Sequence, residues 1–180
     1  MADPIIAKRF EALLLPHMNS AFNVARWLTR NDQDAQDVVQ EAYLRAFRYF
    51  GGFRGEDARA WLLSIVRNTF YTWHQQNRDH AADTTEFEEE MHSLEEIGAA
   101  GQDDSPEAAL IRSQSQKRVH KALRSLRLEF REVVVLRELE DLSYKEIAAI
   151  VGIPMGTVMS RLGRGRQQLA ALLAPTDQEA

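Results

Sequence analysis

Between Asp79 and Glu107 the chain carries eleven acidic side chains and no lysine or arginine, and this bounds the fold more tightly than any other feature. A stretch so charged and so poor in large apolar residues buries too little surface to offset the entropy of ordering it. It reads as a flexible, solvated linker, with a strap or DNA mimic as the alternative. The 180 residues are thereby divided into two short halves. Residues 1–78 hold 10 basic and 8 acidic groups and residues 108–180 hold 12 and 8. The overall charge of -5 therefore conceals two mildly basic flanks, which are compatible with a polyanionic partner. Neither flank shows the alternation of strands and both repeat apolar residues at three and four. The expected fold is all-α, with small helical domains over 1–78 and 108–175 joined by the acidic linker 79–107.

Several function classes are disfavoured by what the chain lacks. There is no cysteine, so no disulfide, thiolate nucleophile or cysteine-ligated zinc. The five histidines, His17, His74, His80, His92 and His120, form no short metal-ligand motif, and no glycine-rich phosphate loop is present. No enzyme activity, cofactor or metal is expected. No uncharged run of eighteen apolar residues is present, and Met1-Ala2-Asp3-Pro4 does not open like a secretory signal. The expectation is a cytoplasmic protein without membrane insertion.

In the first half, Asp32 or Asp34 is positioned to cap a helix that ends at Gly51-Gly52, where glycine suits a left-handed cap. Ala35, Val38, Val39, Ala42, Ala46 and Tyr49 fall on its core side. Asp37, Glu41, Leu44 and Arg48 follow one another at four, three and four on the opposite side, an acid-rich strip that serves either solvation or docking. A further helix is expected from about Asp57 to Asn77, with Trp61, Ile65, Thr69 and Trp73 along one line. Arg67, Tyr71, His74 and Arg78 form another line, pairing cations for phosphates with a ring for stacking. Nine of the fifteen aromatics crowd into residues 43–73. Most belong in the core, and a surplus near Gly51–Gly55 is available to unstacked bases.

In the second half, Ser105-Pro106-Glu107 has the composition of a helix start, with helices expected over Ala108–Leu126 and Leu128–Glu138. Ser143-Tyr144-Lys145-Glu146 forms a capping box. The helix it opens carries Ile147, Ala148 and Val151, turns at Gly152-Ile153-Pro154, and leads into another helix at Met155. This is a helix-turn-helix pattern, in which the second helix enters the major groove. Val158, Leu162, Gly165, Leu169 and Leu172 make its buried seam. Thr157, Ser160, Arg161, Arg164 and Gln168 are left outward, able to meet phosphates and base edges. A structural helical hairpin has the same periodicity.

Taken in order, these segments resemble the extracytoplasmic-function class of bacterial sigma factors, and the resemblance covers nearly the whole chain. Asp34–Ala42 resembles the polymerase-docking helix of conserved region two. Phe53-Arg54-Gly55 followed by Ala60-Trp61-Leu62 resembles the promoter-melting segment. Leu139–Ala148 with Gly156-Thr157-Val158 resembles region four. The resemblance implies a non-enzymatic factor that brings core RNA polymerase to promoter DNA, a dedicated anti-sigma factor as partner and service in a stress response. It implies that Asp37, Gln40, Glu41 and Leu44 meet the clamp helices of the largest polymerase subunit. It places the minus-ten element against Phe53, Arg54 and Asn68, to which the helical line adds Tyr71, His74 and Arg78. In region four Ser160 and Arg164 match positions that read the minus-thirty-five element, with Thr157, Arg161 and Gln168 beside them. Met159 stands where a basic residue is common and Gly163 where a larger side chain often sits. The competing reading is a helix-turn-helix regulator that works without polymerase, which needs neither a docking helix nor an aromatic loop.

Overall fold

A computed structural model describes residues 3–81 and 105–175; most of the acidic stretch lies outside the described residues. Among those residues the only regular elements are helices. The first module comprises α1 (Pro4–Leu14), a 3-10 turn (Leu15–His17), α2 (Met18–Thr29), α3 (Asp32–Tyr49), a 3-10 turn (Phe50–Gly52) and α4 (Ala58–Ala81). The second comprises α5 (Pro106–Ser125), α6 (Leu128–Val134), which loosens into a π-helical turn (Val135–Leu139), α7 (Tyr144–Val151) and α8 (Met155–Leu173).

The first module packs α2, α3 and α4 on one another around Leu14, Val38, Leu62, Leu63, Val66 and Phe70, each at most 1% exposed. Burying these side chains is the main stabilising term, roughly 1.5–3 kcal/mol for each large one. Local details differ from expectation. The N-cap of α3 is Asn31, whose side chain accepts from the Asp34 amide. Asp32 lies inside the helix and is ion-paired with Arg26 at 2.8 Å. Gly51 and Gly52 form a 3-10 turn rather than a left-handed cap. That turn swings Phe50 inward, edge-on to Phe10 at 5.3 Å, and leaves Tyr49 62% exposed instead of in the core. On α4 the buried line runs through Leu62, Leu63, Val66, Thr69 and Phe70; Trp61, Ile65 and Trp73 are half-buried at its margin. Large amphipathic rings sit more readily beside a core than inside it.

The second module follows the sequence closely. Ser105 accepts from the Ala108 amide. Ser143 and Glu146 make both bonds of the capping box. Gly152 takes the left-handed conformation, φ 74°, that ends α7 at no steric cost. Leu142, Ile147, Val158 and Leu162 are buried. At Gly165 α8 lies close against α6, since a Cβ there would lie 2.8 Å from Val134 Cγ2. The last turn of α8 lies beyond that crossing, so Leu172, expected in the seam, is 51% exposed.

The two modules are packed against each other, α2 on α6 and α4 on α7. The Arg131 guanidinium, 4% exposed, donates from α6 to the Trp27 carbonyl at 2.7 Å and to the Leu28 carbonyl at 3.3 Å. Burial and the neighbouring Arg30 push its pKa down to about 10. Glu140 accepts from Asn23 and Arg59, both at 2.6 Å.

Candidate polymerase and nucleic-acid interface

The first candidate surface is the outer side of α3. The Asn31 cap sets its start, the apolar residues Ala35, Val38, Ala42 and Ala46 turn one side inward, and the helical period leaves Asp37, Gln40, Glu41 and Leu44 exposed together. Leu44 is 58% exposed. Glu41 accepts from Arg45 at 2.9 Å, one turn away. Burial, and then the charge of Asp37, raise the Asp34 carboxyl above its ordinary pKa. Beside this strip an open apolar cleft of about 670 Å³ is walled by Phe10, Met18, Phe22, Val39, Tyr43 and Phe47, with Gln40 and Leu44 on its rim. The Tyr43 hydroxyl, its pKa raised by burial to about 12, donates to the Leu14 carbonyl and fixes the cleft floor.

The second surface is the turn after α3 together with α4, whose first turn is held by Asp57 accepting from the Ala60 amide. Arg54, Asn68, His74 and Arg78 are exposed. Phe53, expected at the DNA surface, is only 7% exposed because its ring stacks on Phe50 and lies 4.8 Å from Trp61. It supports the loop from beneath. The exposed rings of the aromatic crowd are Phe47 and Tyr49 on α3, not the loop residues. Tyr71 is half-buried and donates its hydroxyl to Glu132 Oε2 of α6 at 2.9 Å. Burial, then Glu132, push its pKa up to about 12. Arg67 also donates to Glu132 while lying 4.4 Å over the Tyr71 ring.

The third surface is α8. Pro154 precedes it and the first-turn amides of Thr157 and Val158 return to the Pro154 carbonyl. Ser160 and Arg164 are fully outward, and Thr157, Arg161 and Gln168 are half-exposed beside them. Ser160 donates to the Thr157 carbonyl at 3.1 Å, leaving its oxygen free to accept. Two more α8 residues that stand apart from the family pattern, Met159 and Gly163, are exposed on the same helix. No described group of three or more His, Asp or Glu is placed to hold a metal ion.

Sequence reasoning missed Arg59, Arg131, Glu132 and Glu140, the polar groups at the module boundary. A signal was present for two of them, since Arg131-Glu132 interrupts an otherwise apolar run from Phe130 to Leu136. Charges embedded in such a run are rarely buried unless paired.

With this geometry in view, the comparisons converge. The model for Sigma-70 region 2 matches residues 13–80 and that for Sigma-70, region 4 matches residues 116–169, so the chain belongs to the sigma-70 family, in its extracytoplasmic-function class. It is 34% identical to the RNA polymerase sigma-H factor of Pseudomonas aeruginosa, over 96% of this chain and 90% of that one. It is also 34% identical to the ECF RNA polymerase sigma-E factor of Escherichia coli K12, over 93% and 88%. Among solved structures, the sigma factor RpoE of Bartonella quintana, crystallised with the anti-sigma factor NepR, aligns with a TM-score of 0.70 at 28% identity, covering 92% of this chain and 97% of that one. CnrH in complex with the cytosolic domain of CnrY aligns with a TM-score of 0.62 at 26% identity, covering 93% and 88%. The chain is therefore a promoter-recognising, non-enzymatic initiation factor whose partners are core RNA polymerase and promoter DNA. A polymerase-independent regulator leaves the region 2 match unexplained.

Proposed function

We propose that the work of initiation is divided among the three surfaces. Region 2, residues 1–78, docks polymerase through Asp37, Gln40, Glu41 and Leu44, against the clamp helices of the largest subunit, and receives the minus-ten element on Arg54, Asn68, Tyr71, His74 and Arg78, with Phe53 bracing the loop. Region 4, residues 108–175, reads the minus-thirty-five element with Ser160 and Arg164, while Thr157 and Arg161 hold the backbone and Gln168 lies beside them on the DNA side. The protein works in the cytoplasm and is restrained by an anti-sigma partner, as the RpoE–NepR complex suggests. No helix among the described residues is long and apolar enough to cross a membrane.

The observation that supports the docking assignment most directly is the joint exposure of Asp37, Gln40, Glu41 and Leu44 on one strip, of which Gln40 and Leu44 border an apolar cleft. Interfaces of high affinity combine a desolvated apolar centre with a polar rim in this way. Asp37→Arg with Glu41→Arg, both on solvent, should weaken binding to core polymerase at least tenfold and leave the circular dichroism spectrum unchanged. Undiminished affinity would reassign the strip to solvation.

A further inference from the structure

Met155 and Met159 open α8 one turn apart, as neighbours on one side of the helix, and they are 48% and 55% exposed. The seam against the core is made instead by Val158 and Leu162, at most 1% exposed. Toward the outward side, Gly156 and Gly163 carry no side chain that could cover the methionines, and a Cβ at either would meet nothing within 4 Å. Two turns beyond Met159, Arg166 is turned to Glu138, its Nη2 donating at 2.6 Å. This side of α8 therefore begins as an open apolar patch next to Ser160 and becomes charged only where the charge is already paired. Single exposed apolar residues are ordinary on a protein surface. Here two stand side by side at the N-terminal end of the second helix of a helix-turn-helix, the end that meets base edges in the major groove.

The floor of the major groove offers one apolar group, the C5 methyl of thymine, and otherwise hydrogen-bond donors and acceptors. A thioether side chain is unbranched and polarizable, conforms to a small apolar partner, and accepts hydrogen bonds only weakly. Laid on a thymine methyl, it removes apolar surface of both partners from water. Laid on a G·C pair, it displaces water from the guanine O6 or the cytosine amine and returns no bond, which is unfavourable. We propose that Met155 and Met159 are specificity-determining residues of region 4, lying on thymine methyls next to the base edges taken by Ser160 and Arg164. This rests on the assignment of α8 to the minus-thirty-five element. Ser160 and Arg164 read hydrogen-bonding groups, and the methionines read the one feature of the groove that those two cannot. Because the contact carries no charge, it adds discrimination without adding salt dependence.

The probe is a duplex promoter selected by holoenzyme, assembled from core polymerase and the full chain, out of a pool randomised over the minus-thirty-five element. Each thymine of that element, on either strand, is then replaced in turn by deoxyuridine, which removes the methyl and keeps every hydrogen-bonding group. At one or two of these positions the native chain should lose affinity roughly fourfold, the factor for returning one methyl group to water, with the salt slope unchanged. Met155→Ala combined with Met159→Ala should bind the parent element as weakly as its deoxyuridine form and be indifferent to the replacement. Met155→Leu combined with Met159→Leu, still apolar, should remain sensitive to it. Tolerance of deoxyuridine at every position by the native chain overturns the proposal. So does an equal loss in the native and alanine proteins, which assigns the methyl effect to other residues or to the stiffness of the DNA. In the same assay, an Arg164→Ala protein that keeps every base preference would remove α8 from the groove, and the methionine contacts with it. If Arg164→Ala flattens a preference while deoxyuridine is tolerated throughout, α8 reads through its polar side chains alone.

Discussion

The side chain of Arg131 bonds the last turn of the helix that carries Trp27: its Nε donates to the Trp27 carbonyl at 2.7 Å, across 104 residues of sequence. The same guanidinium reaches the carbonyls of Leu28 and Leu126, so one cation satisfies three main-chain acceptors at the boundary. Arg131→Ala should destabilise the chain by about 3 kcal/mol, because those acceptors lose a charged donor together. Arg131→Lys, unable to fork, should recover only part. Urea unfolding of the three proteins measures both differences, and a loss below about 1 kcal/mol for alanine would show that water replaces the donor freely.

Two glycines of α8 should respond to alanine in opposite directions. At Gly165 the new methyl meets Val134 Cγ2 at 2.8 Å, on a β-branched side chain with little freedom to yield. The expected cost is about 1–3 kcal/mol. At Gly163 nothing lies within 4 Å, and Gly163→Ala should gain up to about 1 kcal/mol from helix propensity alone. Thermal denaturation of the pair separates packing from propensity.

His120 gives the module boundary a dependence on acidity. Its ring meets Trp27 edge-on at 5.3 Å, and burial, then Arg26 and Arg124, hold its pKa below the ordinary histidine value of 6.5. The unfolded chain therefore binds the proton more readily than the folded one. Stability attributable to His120 is complete above about pH 6.5 and declines as pH falls from there through the lower folded value. Urea midpoints between pH 7.5 and pH 5 should drop less in His120→Gln than in the parent. Parallel curves would assign the acid sensitivity to carboxylates alone.

Arg164 and Arg161 lie on one helix and are assigned different tasks. Arg164→Ala should cost about 1–3 kcal/mol on the preferred minus-thirty-five sequence and flatten discrimination at one or two positions. Arg161→Ala should weaken all sequences alike and lower the salt slope by about one unit, since one fewer phosphate is neutralised. A panel of single-base variants at several salt concentrations decides between them. A reversed pattern exchanges the roles, and indifference to both removes α8 from the groove.

What the sequence reveals is what neighbouring residues decide. Ser143 and Glu146 bond each other's backbone three positions apart, and Gly152 ends α7 through its own φ, so the helix-turn-helix was legible to the residue. The exposure of Asp37, Glu41, Leu44 and Arg48 follows from a period of 3.6. On α4 the spacing shows a line through Trp61, Ile65, Thr69 and Trp73, while the buried residues are Leu62, Leu63, Val66, Thr69 and Phe70. Phe53 drew attention as a ring near a glycine loop, and only the stack on Phe50 and Trp61 shows that it faces inward. The partners of Arg59, Arg67 and Arg131 were illegible for another reason. Those across the module boundary lie 65 to 104 residues away, and no local pattern encodes which carboxylate or carbonyl a distant arginine will meet.

That separation also orders events during synthesis. At about 5–20 residues per second a ribosome needs roughly 3–12 s to proceed from the end of α4 at Ala81 to Glu140. The contacts that build the first module are mostly local helical ones, which form far faster than that. For those seconds a finished region 2 stands at the ribosome with Arg59, Arg67 and Tyr71 awaiting carboxylates not yet translated. The nascent protein thus passes through a stage in which its basic helix is bare before its own second half can cover it.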